Sequence, residues 1–301
     1  MMIQDHKEYF DKNGYVAFNN FIPDEDLAAI SALAESIYAS NLKKIGQTKE
    51  SGSGEYNKKH IDIEARNHPQ LYKYFTSTAM LRVAKLLLGE NVFLFNDQFV
   101  IKEQDSAAGY FQWHTDNYYG ARFGIMNSAL AGTYKAITCA WCLDDLTLDN
   151  GCVIVSPTHS SEQADLATGN VRRNRSDREI RNTSVVLTAS RGDLLVWNGN
   201  TPHFSLPNRT PSKRRVWLTV YSNQPVDSAG KYYSERFDEK TASQVHTSLG
   251  EFDSTCKEFE PGVPSSVPLI QHGSRGKLVK DLVRQSKLKI KNFMSVRGSD
   301  L

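Results

Sequence analysis

Two kinds of periodicity divide the chain. Before about residue 90, apolar residues recur at helical spacing. From 92 to 223 they alternate, or run together in short stretches bounded by Gly, Pro, Asn and Asp. In FIPDEDLAAISALAESIYAS (21–40), Leu27, Ile30, Ala34 and Ile37 share one helical face, and Asp24 stands where a capping side chain belongs. PQLYKYFTSTAMLRVAKLLLGE (69–90) reads as a second helix, with Pro69 near its start and Gly89 just past its end. Between them, residues 41–58 are polar, contain SGSGE, and read as a loop.

The strand candidates are VFLFNDQFVIK (92–102), YFQWHTD (110–116), AITCAWCL (136–143), GCVIVS (151–156), SVVLTA (184–189), DLLVWN (193–198) and RRVWLTVYSN (214–223). They are rich in β-branched and aromatic residues. So many short strands in so little chain predict a sandwich or barrel, and helices precede strands. The expected class is α+β with a mainly β core: one domain over 1–301, with N-terminal helices (1–90), a barrel core (91–225) and a C-terminal extension (226–301). Two stretches interrupt the strands. Residues 117–134 and 160–183 are long enough to be binding loops. The second carries Arg172, Arg173, Arg175, Arg178 and Arg181, which read as a solvated face laced with Asp177 and Glu179 but would also suit an acidic substrate. Residues 276–291 read as a basic helix that packs on the barrel or meets a second copy, which makes the extension a candidate for homo-oligomer contacts.

Composition narrows the functional classes. With 40% apolar and 23% charged residues and a net charge of +2, the chain reads as a globular protein with no general case for a nucleic-acid partner. No apolar run approaches the roughly 20 residues of a membrane helix, and MMIQDHKEYF lacks a signal-peptide core, so a cytoplasmic location is expected. Cys139 and Cys142 form a lone C-x-x-C inside an apparent buried strand. With no second pair nearby they read, like Cys152 and Cys256, as packed thiols.

The candidate chemistry lies in FQWHTDNYYG (111–120). On a strand, His114 and Asp116 would point to the same face. Composition alone gives about half a His-x-Asp pair by chance, and His60-Ile61-Asp62 is a second one, so the pair needs company. A non-haem iron(II) site uses two His and one carboxylate on one side of the metal, which leaves positions open for a co-substrate and O₂. His203, after a short Gly/Asn/Pro loop, is the best third ligand. Arg214, Val216, Leu218 and Val220 then alternate on one face of the last strand. A single arginine heading an apolar face must be paired, and a small dicarboxylate would pair it through the guanidinium. Ser205 could add a hydrogen bond. Arg215 is the rival, but it should point to the opposite face. Of the aromatics near the motif, Tyr118, Tyr119 and Trp141 are candidates for lining a substrate cavity. His-His-Asp also suits zinc or manganese, so a metal-dependent hydrolase or isomerase stays open, as does a non-catalytic binding barrel. Arg214 discriminates, because a hydrolase has no need of a dicarboxylate clamp.

These residues carry a family resemblance. YFDKNGYVAFNNFIPDEDLAAI, FQWHTD, AWCLDDLTLDNGCVIVSPTHS and GDLLVWNGNTPHFSLPNRTPSKRRVWLTVYSN, in that order, resemble the phytanoyl-CoA dioxygenase family of iron(II)/2-oxoglutarate oxygenases, which includes the ectoine hydroxylases. The resemblance spans residues 9 to 223. It implies a double-stranded β-helix (jelly-roll, cupin-like) barrel flanked by helices, with Fe(II) on His114, Asp116 and His203. It also implies that 2-oxoglutarate is held by Arg214 with Ser205 close by, and that Thr138, Gln98 and Lys102 line the same pocket. O₂ is the co-substrate, ascorbate the reductant in vitro, and the substrate a small molecule of specialised or amino-acid metabolism. In related halogenases the Asp116 position is Gly or Ala, so a carboxylate here implies hydroxylation or another oxidation instead. His159 reads as a structural hydrogen-bonding residue.

Overall fold

The computed structural model describes residues 3–47, 58–104, 111–117, 134–158, 183–225, 232–244 and 260–261. Helix α1 (Ile3–Asn13) leads into strand β1 (Tyr15–Phe18), and α2 spans Asp24–Gln47. The helical pattern therefore runs seven residues beyond Ser40, into part of the expected loop. Pro69 to Leu88 is not one helix but two, α3 (Pro69–Phe75) and α4 (Thr78–Leu88). Hydroxyl side chains cause the break. Ser77 is extended and caps α4 by accepting from the Met80 N–H, while the Thr76 hydroxyl donates to the Tyr72 carbonyl of the preceding turn. Ser243 from the C-terminal segment then pairs with the opened backbone at Thr76 and Thr78.

Eleven strands among the described residues form two antiparallel sheets. The larger runs β1-β8-β5-β10-β3-β2, with β2 Lys58–Asp62, β3 Phe93–Lys102, β5 Ala136–Cys142, β8 Leu194–Asn198 and β10 Arg214–Ser222. The smaller runs β11-β7-β6-β9-β4, with β4 Phe111–His114, β6 Val153–Val155, β7 Val185–Leu187, β9 His203–Ser205 and β11 Glu260–Pro261. From β3 to β10 the chain crosses repeatedly between the sheets. His203 thus opens a short strand of its own, β9, which was not among the strand candidates. Its three residues are too few for an alternation to register.

Alternation sorts the larger sheet into two faces. Val16, Phe99, Ile101, Cys139, Trp141, Val196 and Trp217 pack with the helices. Tyr15, Ala140, Cys142, Leu195, Trp197 and Val216 pack with Ile154, Leu187 and Phe204 of the smaller sheet. Burying each large apolar side chain contributes about 1.5–3 kcal/mol, so both layers are strongly specified. Trp141 is therefore not a cavity residue. It is fully buried on the helix side, edge-on to Phe21, and its indole donates to the Thr219 hydroxyl at 3.0 Å. Cys139 and Cys142 face opposite sides, and with Cys152 they are buried free thiols.

Residues 232–244 lie against the helix side. The Tyr233 and Phe237 N–H groups donate to the Phe95 and Val92 carbonyls at 2.9 and 2.8 Å, and both rings are buried among the helices. No helix among the described residues is long and apolar enough to cross a membrane.

Candidate active site

Strands β4 and β9 pair antiparallel, with His114 opposite His203. The two imidazole rings are 4.1 Å apart between centroids. Asp116 is not on that strand. β4 ends at His114, and by Asp116 and Asn117 the backbone has turned helical, so i/i+2 alternation is not what brings Asp116 to the histidines. Its Oδ1 nevertheless lies 3.7 Å from His114 Nε2 and 3.6 Å from His203 Nε2. One donor atom from each of the three side chains falls within 4.8 Å of the others, which makes the group able to hold one metal ion.

Each atom has a defined task. The Asp116 Oδ2 accepts from the Thr138 hydroxyl at 2.7 Å and from the Trp197 indole N–H at 3.1 Å. Thr138 and Trp197 are directly paired across β5 and β8, so two adjacent inward positions grip one carboxylate oxygen and leave Oδ1 facing the imidazoles. The His203 Nδ1 lies 3.0 Å from the Thr201 carbonyl. A carbonyl can only accept, so Nδ1 carries the proton and Nε2 keeps its lone pair for a metal. Burial pushes the Asp116 carboxyl up. His203, His114 and the two hydrogen bonds outweigh that and hold it below the ordinary carboxylate value.

A second cluster sits on the inward face, beyond the metal-capable group. Arg214 is buried at the head of β10, with Val216 on the same face as expected, and its Nη2 donates to the Gly151 carbonyl at 2.8 Å. Its Nε has no hydrogen-bond partner. Burial pushes its pKa down to about 10, against the opposing pull of Cys152, Cys142 and Asp144. It stays charged at neutral pH, which leaves a buried cation with donors to spare. Arg215, one residue on, points out and is held by Asp144 through Nε at 2.9 Å and Nη2 at 2.6 Å, and by Glu35 at 3.3 Å. Lys102 is fully buried opposite Arg214. Its Nζ donates to Ser205 Oγ at 2.7 Å and to the Leu206 carbonyl. Gly151 makes room for Lys102 and offers its carbonyl to Arg214. It has φ +79°, and a side chain there would run into the Leu206 carbonyl and come within 3.0 Å of Lys102 Nζ. Gln98 lies four residues before Lys102 on β3, level with Leu218.

The structure thus brings together His114, Asp116, His203 and Thr138 in one group, and Arg214, Lys102 and Ser205 in another. Tyr118, Tyr119, His159, the arginine run at 172–181 and the basic segment at 276–291 lie outside the described residues. His60 and Asp62 are on strand β2, which ends the larger sheet among the described residues. Trp197 and Gly151 were not anticipated. Trp197 had a signal, because counting alternately from Leu195 turns it inward.

Comparison with known proteins adds the family. Residues 10–216 match the phytanoyl-CoA dioxygenase (PhyH) family over more than two-thirds of the chain. The chain belongs to the phytanoyl-CoA dioxygenase family. That places it among iron(II)- and 2-oxoglutarate-dependent dioxygenases, and the His-Asp-His group is able to hold the metal such an enzyme needs. The human peroxisomal phytanoyl-CoA dioxygenase is 22% identical over 231 residues, covering 70% of this chain and 66% of its own length. Among solved structures, the 2-oxoglutarate-dependent epimerase SnoN of nogalamycin biosynthesis superposes with a TM-score of 0.59 at 17% identity, covering 90% of this chain and 93% of its own. EctD from S. alaskensis, in a complex with 2-oxoglutarate and 5-hydroxyectoine, gives 0.55 at 18% identity, covering 86% and 84%. At these identities the likeness is one of fold.

Proposed function

We propose that this PhyH-family protein uses iron(II), 2-oxoglutarate and O₂ to hydroxylate an unactivated C–H bond of a small-molecule substrate, within a single oxygenase domain built on a double-stranded β-helix. The crossing of strands between the two sheets supports that fold. One observation carries the chemistry: a His-Asp-His group shares its inward face with a buried guanidinium whose Nε is unpartnered. A hydrolase or a passive binding barrel would have no use for that cation, whose burial is costly until an anion arrives.

His114 Nε2, His203 Nε2 and Asp116 Oδ1 would hold iron, leaving its other positions open. When bound, iron and 2-oxoglutarate supply the oxidising power: one atom of O₂ goes into succinate as CO₂ is lost, and the other goes to the substrate. The remaining work belongs to side chains. Arg214 binds the far carboxylate of 2-oxoglutarate through charge-assisted hydrogen bonds, while Lys102 and Ser205 add positive charge and a hydroxyl to the same cradle. Thr138 and Trp197 keep Asp116 turned toward the metal. Apolar Val216 and Leu218, between the cradle and the metal group, exclude water. EctD and SnoN, whose structures hold 2-oxoglutarate, support the reading by shared fold. The test is turnover. Purified protein with iron(II) and ascorbate should convert 2-oxoglutarate to succinate and CO₂, faster with a true substrate, and no conversion with any candidate would reject the reading.

A further inference from the structure

Asp116 lies beyond the end of β4, and the β4–β9 pairing, already shifted in register between Phe111 and His114, gives it no ladder hydrogen bond. Something else must fix its backbone. The next residue, Asn117, is buried and fastened at two points to the segment that leads into His203. Its N–H donates to the Gly199 carbonyl at 3.0 Å, and its Nδ2 donates to Asn200 Oδ1 at 2.8 Å. Its side-chain amide lies flat against Gly199. A Cβ added there would collide with Asn117 Oδ1 and sit 2.8 Å from Cγ, so glycine is required by this close approach.

The segment that Asn117 grips is itself rigid. The Asn198 N–H donates to the Gly14 carbonyl and the Gly199 N–H to the Ala136 carbonyl, each at 2.8 Å. The Asn200 N–H donates to Asn198 Oδ1 at 2.8 Å, and the Thr201 hydroxyl to the Gly14 carbonyl at 2.9 Å. The Thr201 carbonyl then orients His203. One plate, residues 198–201, therefore sets the direction of His203 on one side and the exit of Asp116 on the other.

We propose that Asn117 and Gly199 are positioning residues for the metal: they lock the backbone of Asp116 to the loop that aims His203, replacing the strand pairing that ends two residues too early. The inference rests on the iron-binding reading above. Neither residue touches the metal or the substrate. Their loss lets the carboxylate and the imidazole drift apart, so iron(II) binds more weakly and in a distorted geometry.

The test is iron(II) affinity of the full-length protein, measured anaerobically by competition with a chromophoric chelator, alongside the ligand-field spectrum of the cobalt(II)-loaded protein. Asn117→Ala should weaken iron(II) binding about tenfold, the scale seen when groups that orient ligands are lost, and should alter the cobalt spectrum. Gly199→Ala should do at least as much alone, but add nothing in the Asn117→Ala background, because the amide it collides with is gone. If Asn117→Ala proves unstable without metal, Asn200→Ala removes the acceptor of the side-chain bond and should show the same loss of affinity in smaller measure. Wild-type iron affinity and an unchanged cobalt spectrum in Asn117→Ala, or multiplying losses in the double variant, would overturn the proposal. Failure of the unsubstituted protein to bind iron(II) would instead bring down the functional reading beneath it.

Discussion

Arg214 and Lys102 stand directly opposite each other across β10 and β3, both buried on the face between the sheets. Two cations in one apolar layer would be stabilised by an anion between them. Arg215 differs by one position and by one face, and it spends its charge on Asp144 and Glu35. Arg214→Ala should therefore weaken 2-oxoglutarate binding at least about 30-fold, the lower bound for truncating one partner of a buried charge pair. Arg215→Ala should leave that affinity within about twofold and instead cost about 1 kcal/mol of stability. Calorimetric titration of the two iron-loaded variants separates them. Equal losses would move the clamp away from Arg214.

The same burial predicts a trade between stability and binding. Without an anion, Arg214 carries its desolvation cost with one carbonyl contact in return. Arg214→Met keeps most of the volume and removes the charge. The ligand-free variant should unfold at or above the temperature of the unsubstituted protein. The unsubstituted protein should gain about 2.7 kcal/mol from 2-oxoglutarate at a hundredfold excess over its Kd, and the variant should gain nothing. Differential scanning fluorimetry with and without 2-oxoglutarate reads both effects.

Asp116 offers one oxygen to the imidazoles because Thr138 and Trp197 occupy the other. Trp197→Phe keeps the inward ring and loses the donor, and Thr138→Val does the same for the hydroxyl. Each should weaken iron(II) binding about 10- to 100-fold while leaving the three ligands in place. Iron titration checks this, and unchanged affinity in both variants would show that the grip on Oδ2 is dispensable.

Asp97 gives a pH signature on the helix side. Burial raises its pKa despite hydrogen bonds from the Ala65 N–H, the Tyr233 hydroxyl and the Trp217 indole. A raised carboxyl pKa means the folded state holds a proton that the unfolded chain has already released. This residue's contribution to stability is therefore largest below about pH 3.9, falls as pH rises from there toward the raised folded value, and is level above it. Asp97→Asn keeps an acceptor for Ala65 and Tyr233 and removes the titration. The stability difference between the two proteins, from urea melts across that window, should shrink on the side of the unsubstituted protein as pH rises. A difference constant with pH would contradict this.

The sequence made some of this legible, for physical reasons. Period-2 alternation separates Arg214 from Arg215 on β10 because one face meets the smaller sheet and the other the helices. The same count, begun at Thr138, turns Trp141 to the helix side, so aromaticity near the motif was a poorer guide than parity. Asp116 lay beyond the reach of that rule, because strand β4 stops two residues before it. The break between Phe75 and Thr78 was hidden because the apolar spacing runs on across Thr76 and Ser77, and the Ser243 backbone that pairs with the opened turn comes from over 160 residues away. Alternation turns Trp197 inward, but the partners of Trp197 and Gly151 are distant in sequence, and no local pattern marks such pairs.

The proposed site joins the His-Asp-His group, for iron, to Arg214, for 2-oxoglutarate. The direct measurement is anaerobic titration of 2-oxoglutarate into the iron(II)-loaded protein, followed by visible absorption. A charge-transfer band that saturates at one equivalent, vanishes in Asp116→Ala and demands far more 2-oxoglutarate in Arg214→Ala is the predicted result. No band in the unsubstituted protein, or one indifferent to both substitutions, would contradict the account.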